Sequence, residues 1–222
     1  MRNENERRHR TAALRIGSLL ALAIITFFLQ GCESYEHGAG NFNTVIVDAG
    51  HGGHDRGARA VSGLHEKMLA LDTAQRLAKI LRSKGFHVIE TRRSDVFVPL
   101  GGRVNTANRT GGSIFVSVHY NWSPRSAARG VEVYYYGARS RRLASNILKE
   151  LLRAYPTVNR GVKRNNYYVL RTNRRPAVLC ELGFLSNPQD NRYAQSWMYR
   201  QRMAERIAAG IIAERRGAGG SL

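Results

Sequence analysis

Cysteine is scarce in this chain of 222 residues: Cys32 and Cys180 are the only two. They allow one disulfide at most, so no disulfide framework holds the fold. Acidic side chains are also in short supply, with 16 Asp and Glu against 35 Lys and Arg, for a net charge of +19. A surplus of that size implies anionic surroundings, whether nucleic acid, a membrane surface or an acidic polymer. No arginine-rich recognition element or finger accompanies it, so charge alone does not choose among them. Internal repeats and low-complexity tracts are absent too. What remains is ordinary, 43% hydrophobic and 23% charged. That suffices for a core, in a chain long enough for one domain and a leader.

Only one long apolar run exists, residues 16–29 (IGSLLALAIITFFL), preceded by Arg7, Arg8, Arg10 and Arg15. At 1.5 Å per residue it covers about 21 Å, short of the ~30 Å hydrocarbon core, so residues 1–31 read as a signal peptide rather than a permanent span. The run closes on Leu29-Gln30-Gly31-Cys32, which resembles the lipobox of bacterial lipoproteins, with Cys32 the lipidated residue. The expected location is therefore outside the cytoplasm, on the periplasmic side of a bacterial membrane. The outer membrane is favoured, reached through an N-terminal lipid anchor. The leader carries five Arg and two Glu, so the rest of the chain keeps 30 basic and 14 acidic residues. Outside the cell such a charge suits an anionic wall or membrane better than DNA, and no nucleic-acid partner is expected. With Cys32 acylated, Cys180 has no partner, so a core or a metal must stabilise the domain.

Residues 32–43 are polar and glycine-containing, and read as a tether. From 44 to 215, strand-like runs alternate with helical patterns, the signature of a single α/β domain: a mostly parallel twisted sheet with helices on both faces. Strands are expected at 44–48, 86–91, 113–119, 131–136 and 177–181. Residues 66–84 carry Leu71, Ala74, Leu77, Ala78 and Leu81 at three-and-four spacing before Gly85, which predicts an amphipathic helix. Further helices are expected at 102–109, 140–154 and within 188–215, and residues 216–222 read as a flexible tail.

Three polar residues sit where apolar strands run out: His51, His119 and Glu181. Ligands of open parallel sheets bind at the carboxyl ends of the strands, and a buried charge there needs a partner or a metal. Glu66 opens the following helix and can turn back toward the same edge. Two imidazoles and a carboxylate make the ligand set of a catalytic zinc site, and a second carboxylate can serve as general base.

The segments VIVDAGHGGHDRGA, LHEKMLALDTAQRLAKIL, SIFVSVHYNW and PAVLCELGFLSNPQD occur in that order, linked by TRRSD, GGRVNTAN and RGVKRNNYYVLR. Together they resemble the zinc-dependent N-acetylmuramoyl-L-alanine amidases over residues 44–212. The resemblance implies one Zn2+ held by His51, Glu66 and His119, with Glu181 as the catalytic carboxylate. It implies peptidoglycan as the partner, cut between N-acetylmuramic acid and L-alanine. The interval 131–160 leaves no room for the blocking helix of some family members, so an open site is expected and any protein activator is unknown.

Other readings stand beside this one: a zinc peptidase cutting within the stem peptide, or an inactive wall-binding lipoprotein. A two-His-one-carboxylate iron site is disfavoured, because its carboxylate usually lies next to a His. His54 and His65 are rival ligands ranked as bystanders or substrate contacts. Cys180 should point away from Glu181, into the core. The arginines at 139, 141 and 142 and at 171, 174 and 175 read as solvated faces, or as grips on wall anions.

Overall fold

The computed structural model describes residues 38–219. The leader (1–31), Cys32, the tether up to residue 37 and residues 220–222 lie outside the described residues. Six strands, β1 (Thr44–Ala49), β2 (His87–Glu90), β3 (Ser113–Asn121), β4 (Val131–Tyr135), β5 (Asn159–Arg164) and β6 (Ala177–Phe184), form one sheet in the order β2-β1-β3-β6-β4-β5. The first four in that order run parallel, whereas β4 joins β6 antiparallel and carries β5 parallel to itself. The helices are α1 (Glu66–Ser83), α2 (Leu100–Asn108), α3 (Arg141–Leu151), α4 (Tyr168–Arg171), α5 (Pro188–Gln195) and α6 (Trp197–Gly219). This is the mostly parallel α/β sheet that the alternation of patterns predicted. Among the described residues no helix is long and apolar enough to cross a membrane.

The period of two along each strand sorts side chains onto unequal faces. Val45, Val47, Val116, Val118, Val178 and Cys180 enter the larger core, with Leu77, Leu81, Leu143, Ile147, Ile207 and Ile211 from the helices. The alternate set, Ile46, Phe115 and Leu179, faces a smaller cluster closed by Val104, Ala107, Val169 and Leu170 of α2 and α4. Cys180 thus points into the main core and is fully buried. The thin face is where strand residues of matching parity, Asp48, Ser117, His119, Glu132 and Glu181, have room for polar chemistry.

Local signals explain most elements. The helix α1 buries Leu71, Ala74, Leu77, Ala78 and Leu81, as its periodicity requires. At the start of α5 the Asn187 side chain accepts from the amides of Gln189 and Asp190, and Pro188 fills the first turn, where its missing N–H is not needed. Three features go beyond the sequence reading. β5 has a single apolar residue, Val162, and no strand pattern of its own; pairing with β4 makes it a strand. β3 and β6 run past His119 and Glu181, which therefore lie within strands rather than closing them. The last helix continues beyond Arg215 to Gly219.

The helices α3 and α6 pack at Gly210, where a Cβ would meet Cα of Ile147 at 2.5 Å and its N at 2.8 Å. Helix propensity favours alanine there by about 1 kcal/mol, but overpacking against backbone costs about 1–3 kcal/mol. The clash wins. Gly210→Ala is expected to lower stability in denaturant titration by about 1–2 kcal/mol; an unchanged or raised midpoint would show that the helices part at no cost.

Candidate metal centre

β1 ends at Ala49 and the chain turns at once. Among the described residues His51 is the only non-glycine with positive φ, +59°. Such a conformation costs of order 1 kcal/mol or more and persists only where the surroundings hold it. Two buried arginines do so. Arg103 donates to the carbonyls of Ala49 at 2.6 Å and His51 at 2.7 Å, and bonds Asp48 at 2.7 Å. Arg92 donates to the carbonyls of Ala49, Gly50 and Lys67. The sequence reading had noted their segments only as connectors. A trace was present: Arg103 shares the buried face of α2 with Ala107, four residues on, where an unneeded charge would not be tolerated.

Glu66, in the first turn of α1, is buried and reaches back under this loop. One carboxylate oxygen accepts from the amide of Tyr120 at 3.0 Å and meets His119 Nδ1 at 2.9 Å. The other accepts from the amide of Ala58 at 2.9 Å and meets His51 Nε2 at 3.0 Å. Burial opposes ionisation of Glu66, but bonds and charge from His119 and His51 outweigh it and hold the carboxyl well below its ordinary range. His51 Nδ1 meets Asp55 Oδ1 at 2.9 Å. Burial works against a charge on His51, yet Glu66 and Asp55 raise its affinity for a proton.

Glycines make the crowding possible. At Gly50 a Cβ would sit 2.3 Å from the His119 ring. At Gly57, with φ +64°, it would fall 2.6 Å from His51 and 2.7 Å from Glu66.

Glu181 sits beside His119 on the next strand. Its Oε2 is buried and has no hydrogen-bond partner among the described residues. Burial first, then the charges of Glu66 and Glu132, push its pKa well above the ordinary carboxylate value. Glu132, which sequence reading missed, lies opposite Glu181 on β4. It accepts from Asn121 Nδ2 at 2.6 Å and Tyr134 Oη at 2.8 Å, and pairs with Arg160 at 3.0 Å and Lys163 at 2.5 Å. Burial opposes its charge, but Lys163, Tyr134 and Arg160 keep it ionised. Only its alternation with Val131 and Val133 marked it beforehand.

His51, Glu66, His119 and Glu181 all line one cavity of about 620 Å³, whose walls include Phe97, Leu100, Trp122, Tyr167 and Tyr168. The four predicted site residues are therefore brought together. His54 instead lies against Phe97, with ring centroids 4.0 Å apart, and His65 precedes α1 outside the convergent group. One ligand atom from each of His51, Glu66 and His119 falls within 4.8 Å of the others. Four-coordinate bonds of ~2.0–2.1 Å separate ligand atoms by about 3.4 Å, so the set fits one tetrahedral ion with a position left open. The unpartnered oxygen of Glu181 fits the same picture, because a buried carboxylate needs a partner.

A family model described as N-acetylmuramoyl-L-alanine amidase matches residues 45–213. The uncharacterised protein YqiI of Bacillus subtilis is 40% identical over 172 residues, covering 76% of this chain and 82% of that one. The N-acetylmuramoyl-L-alanine amidase LytC of the same organism is 35% identical over 173 residues, covering 76% of this chain but only 35% of its own length. Among solved structures, the N-acetylmuramoyl-L-alanine amidase AmiC2 of Nostoc punctiforme superposes with a TM-score of 0.75 at 38% identity, over 78% of this chain and 98% of that one.

Asp55 orients His51 from behind, and removing its charge is expected to loosen the centre. Asp55→Asn should bind zinc about 10- to 100-fold more weakly in competition with a chromogenic chelator. Unchanged affinity would reduce Asp55 to a surface carboxylate.

Proposed function

The chain belongs to the N-acetylmuramoyl-L-alanine amidase family, and from that premise we propose that it hydrolyses the amide joining N-acetylmuramic acid to the L-alanine of the stem peptide in peptidoglycan. The observation that carries this reading is the convergence of His51, Glu66 and His119 beside the partnerless carboxylate of Glu181. A zinc ion held by those three residues would supply a Lewis acid for the scissile carbonyl and lower the pKa of bound water to about 7. Glu181 takes the proton of the attacking water and delivers it to the departing L-alanine nitrogen, the double role of a general base and acid. Its raised proton affinity suits the second half of that task. Arg92 and Arg103 keep the loop carrying His51 in place, and the aromatic walls at Trp122, Tyr167 and Tyr168 hold the substrate and exclude water.

The place of action is the cell envelope. The signal peptide, Cys32 as a lipid anchor and an outer-membrane position facing the periplasm complete the proposal, and the basic charge fits anionic surroundings there. Replacement by Cys32→Ser is expected to move the chain from the membrane fraction to the soluble one; retention in membranes would remove the lipid anchor.

Digestion of purified peptidoglycan should release whole stem peptides with L-alanine amino termini, lost on chelation and restored by zinc. Peptides cut internally would point to a zinc peptidase, and tight wall binding without release to an inactive module. Glu181→Gln should lower turnover by about 10²–10⁴ with metal content unchanged. Full activity in that variant would sink the mechanism.

A further inference from the structure

The edge of the sheet opposite the metal centre gathers cations that catalysis does not use. Ala177 opens β6 there, its amide donating to Ser140 Oγ at 3.0 Å. Beside it Arg139, Arg171, Arg174 and Arg175 border a cavity of about 300 Å³ that no Asp or Glu lines. Among the described residues these guanidiniums meet carbonyls and rings, not carboxylates. Arg139 donates to the carbonyl of Arg174, Arg175 to those of Ala107 and Asn108, and Arg171 lies over the Tyr168 ring. An adjoining hollow shares Tyr136 and adds Arg164. The domain's carboxylates are engaged elsewhere: Asp48 by Arg103, Asp72 by Arg76 and Arg200, Asp95 by Lys67, Glu150 by Arg153 and Arg206.

The chain enters the domain at this same end. Ala39 donates to Glu214 Oε1 at 2.7 Å, and Arg142, one turn beyond Arg139, pairs with the same carboxylate at 3.0 Å. Five residues lie between Cys32 and Gly38, and the six steps from one to the other span about 20 Å when fully extended. An acyl chain on Cys32 would therefore hold the arginine-rich end close to the bilayer surface.

We propose that this end is a docking surface for the anionic phospholipid headgroups of a membrane, with Arg139, Arg171, Arg174 and Arg175 gripping phosphate. The guanidinium fork matches phosphate oxygens in pairs, and clustered cations are drawn to an anionic leaflet within a Debye length. Docked in this way, the domain turns the metal cavity, at the carboxyl ends of the parallel strands, away from the lipid. The choice of a lipid surface over a soluble polyanion rests on the lipid anchor proposed above. The test dispenses with the anchor, so failure of docking and failure of anchoring are separately visible.

The chain from Glu33 onward, which contains the whole described domain, is mixed with vesicles of phosphatidylcholine containing phosphatidylglycerol and sedimented. It should bind at low salt and not bind vesicles of phosphatidylcholine alone. The triple variant Arg139→Gln, Arg171→Gln, Arg174→Gln alters exposed side chains and should weaken binding about a hundredfold, at roughly fivefold per cation. A charge-matched control on other exposed sites, Arg125→Gln, Lys149→Gln, Arg192→Gln, should weaken it by less than about tenfold. Orientation has its own readout. Trp122 lines the metal cavity, and Trp197 starts α6, about 30 Å along the helix from Gly217 beside Arg142. Brominated lipids should therefore leave tryptophan emission unquenched in the bound state. Equal weakening by the two triple variants, quenching on binding, or binding to a soluble phosphodiester polymer but not to vesicles would each overturn the proposal.

Discussion

A carboxylate buried at the first turn of α1 is the constraint on which the rest of the site depends. Taking Glu66 out of water costs several kcal/mol, and four groups offset it: the amides of Ala58 and Tyr120 and the rings of His51 and His119. They come from the loop after β1 and from the end of β3, so loop, helix and strand must arrive together or the charge is stranded. The left-handed His51 and the glycines at 50 and 57 follow from that demand, since each removes bulk or turns a ring where Glu66 needs it. Arg92 and Arg103 meet the remaining cost by bonding the carbonyls that the turn exposes.

Charge balance carries the same logic across the sheet. Glu66, Glu181 and Glu132 place three carboxylates on adjoining elements, and each raises the cost of ionising Glu181 or shares it. Arg160 and Lys163 neutralise the outer member, Glu132, from β5. On the inner side, where two histidines and Glu66 converge, the partners of Glu66 are imidazoles and backbone amides, with no Lys or Arg among them. A divalent cation there would complete the balance, which favours the proposed zinc ion on electrostatic grounds. β5, paired with β4, contributes to this balance by bringing Arg160 and Lys163 against Glu132.

Legibility in the sequence followed the physics of burial. Strands buried on both faces, such as β1, β3 and β6, are continuous apolar runs and could be read directly, as could α1 with its regular apolar stripe. The residues at 51, 66, 119 and 181 were legible as chemistry out of place at strand ends and a helix start, though which carboxylate does what came from family resemblance. β5 was not legible, because the segment Asn159–Arg164 has one apolar residue and owes its form to a neighbour distant in sequence. Glu132, Arg92 and Arg103 were missed for a related reason. Local pattern reports which side chains are buried, but a buried charge is explained only by partners that the fold supplies.

The arginines at the far end differ from the other cations in one physical respect. A cation at a helix C-terminus lowers the energy of its own helix, by about 0.3–1 kcal/mol. Arg82 in the last turn of α1 and Arg216 in that of α6 stand in that position. Arg139 stands at the opposite pole, just before α3, whose first turn holds no acidic residue. There the dipole disfavours it by a similar amount. Local stability therefore accounts for the first group and not for Arg139. Arg139 shares its cavity with Arg171, Arg174 and Arg175, and no carboxylate lines it. Cations gathered without a carboxylate among them are accounted for by an anion outside the domain. Their position beside the chain's point of entry makes a lipid headgroup the natural one.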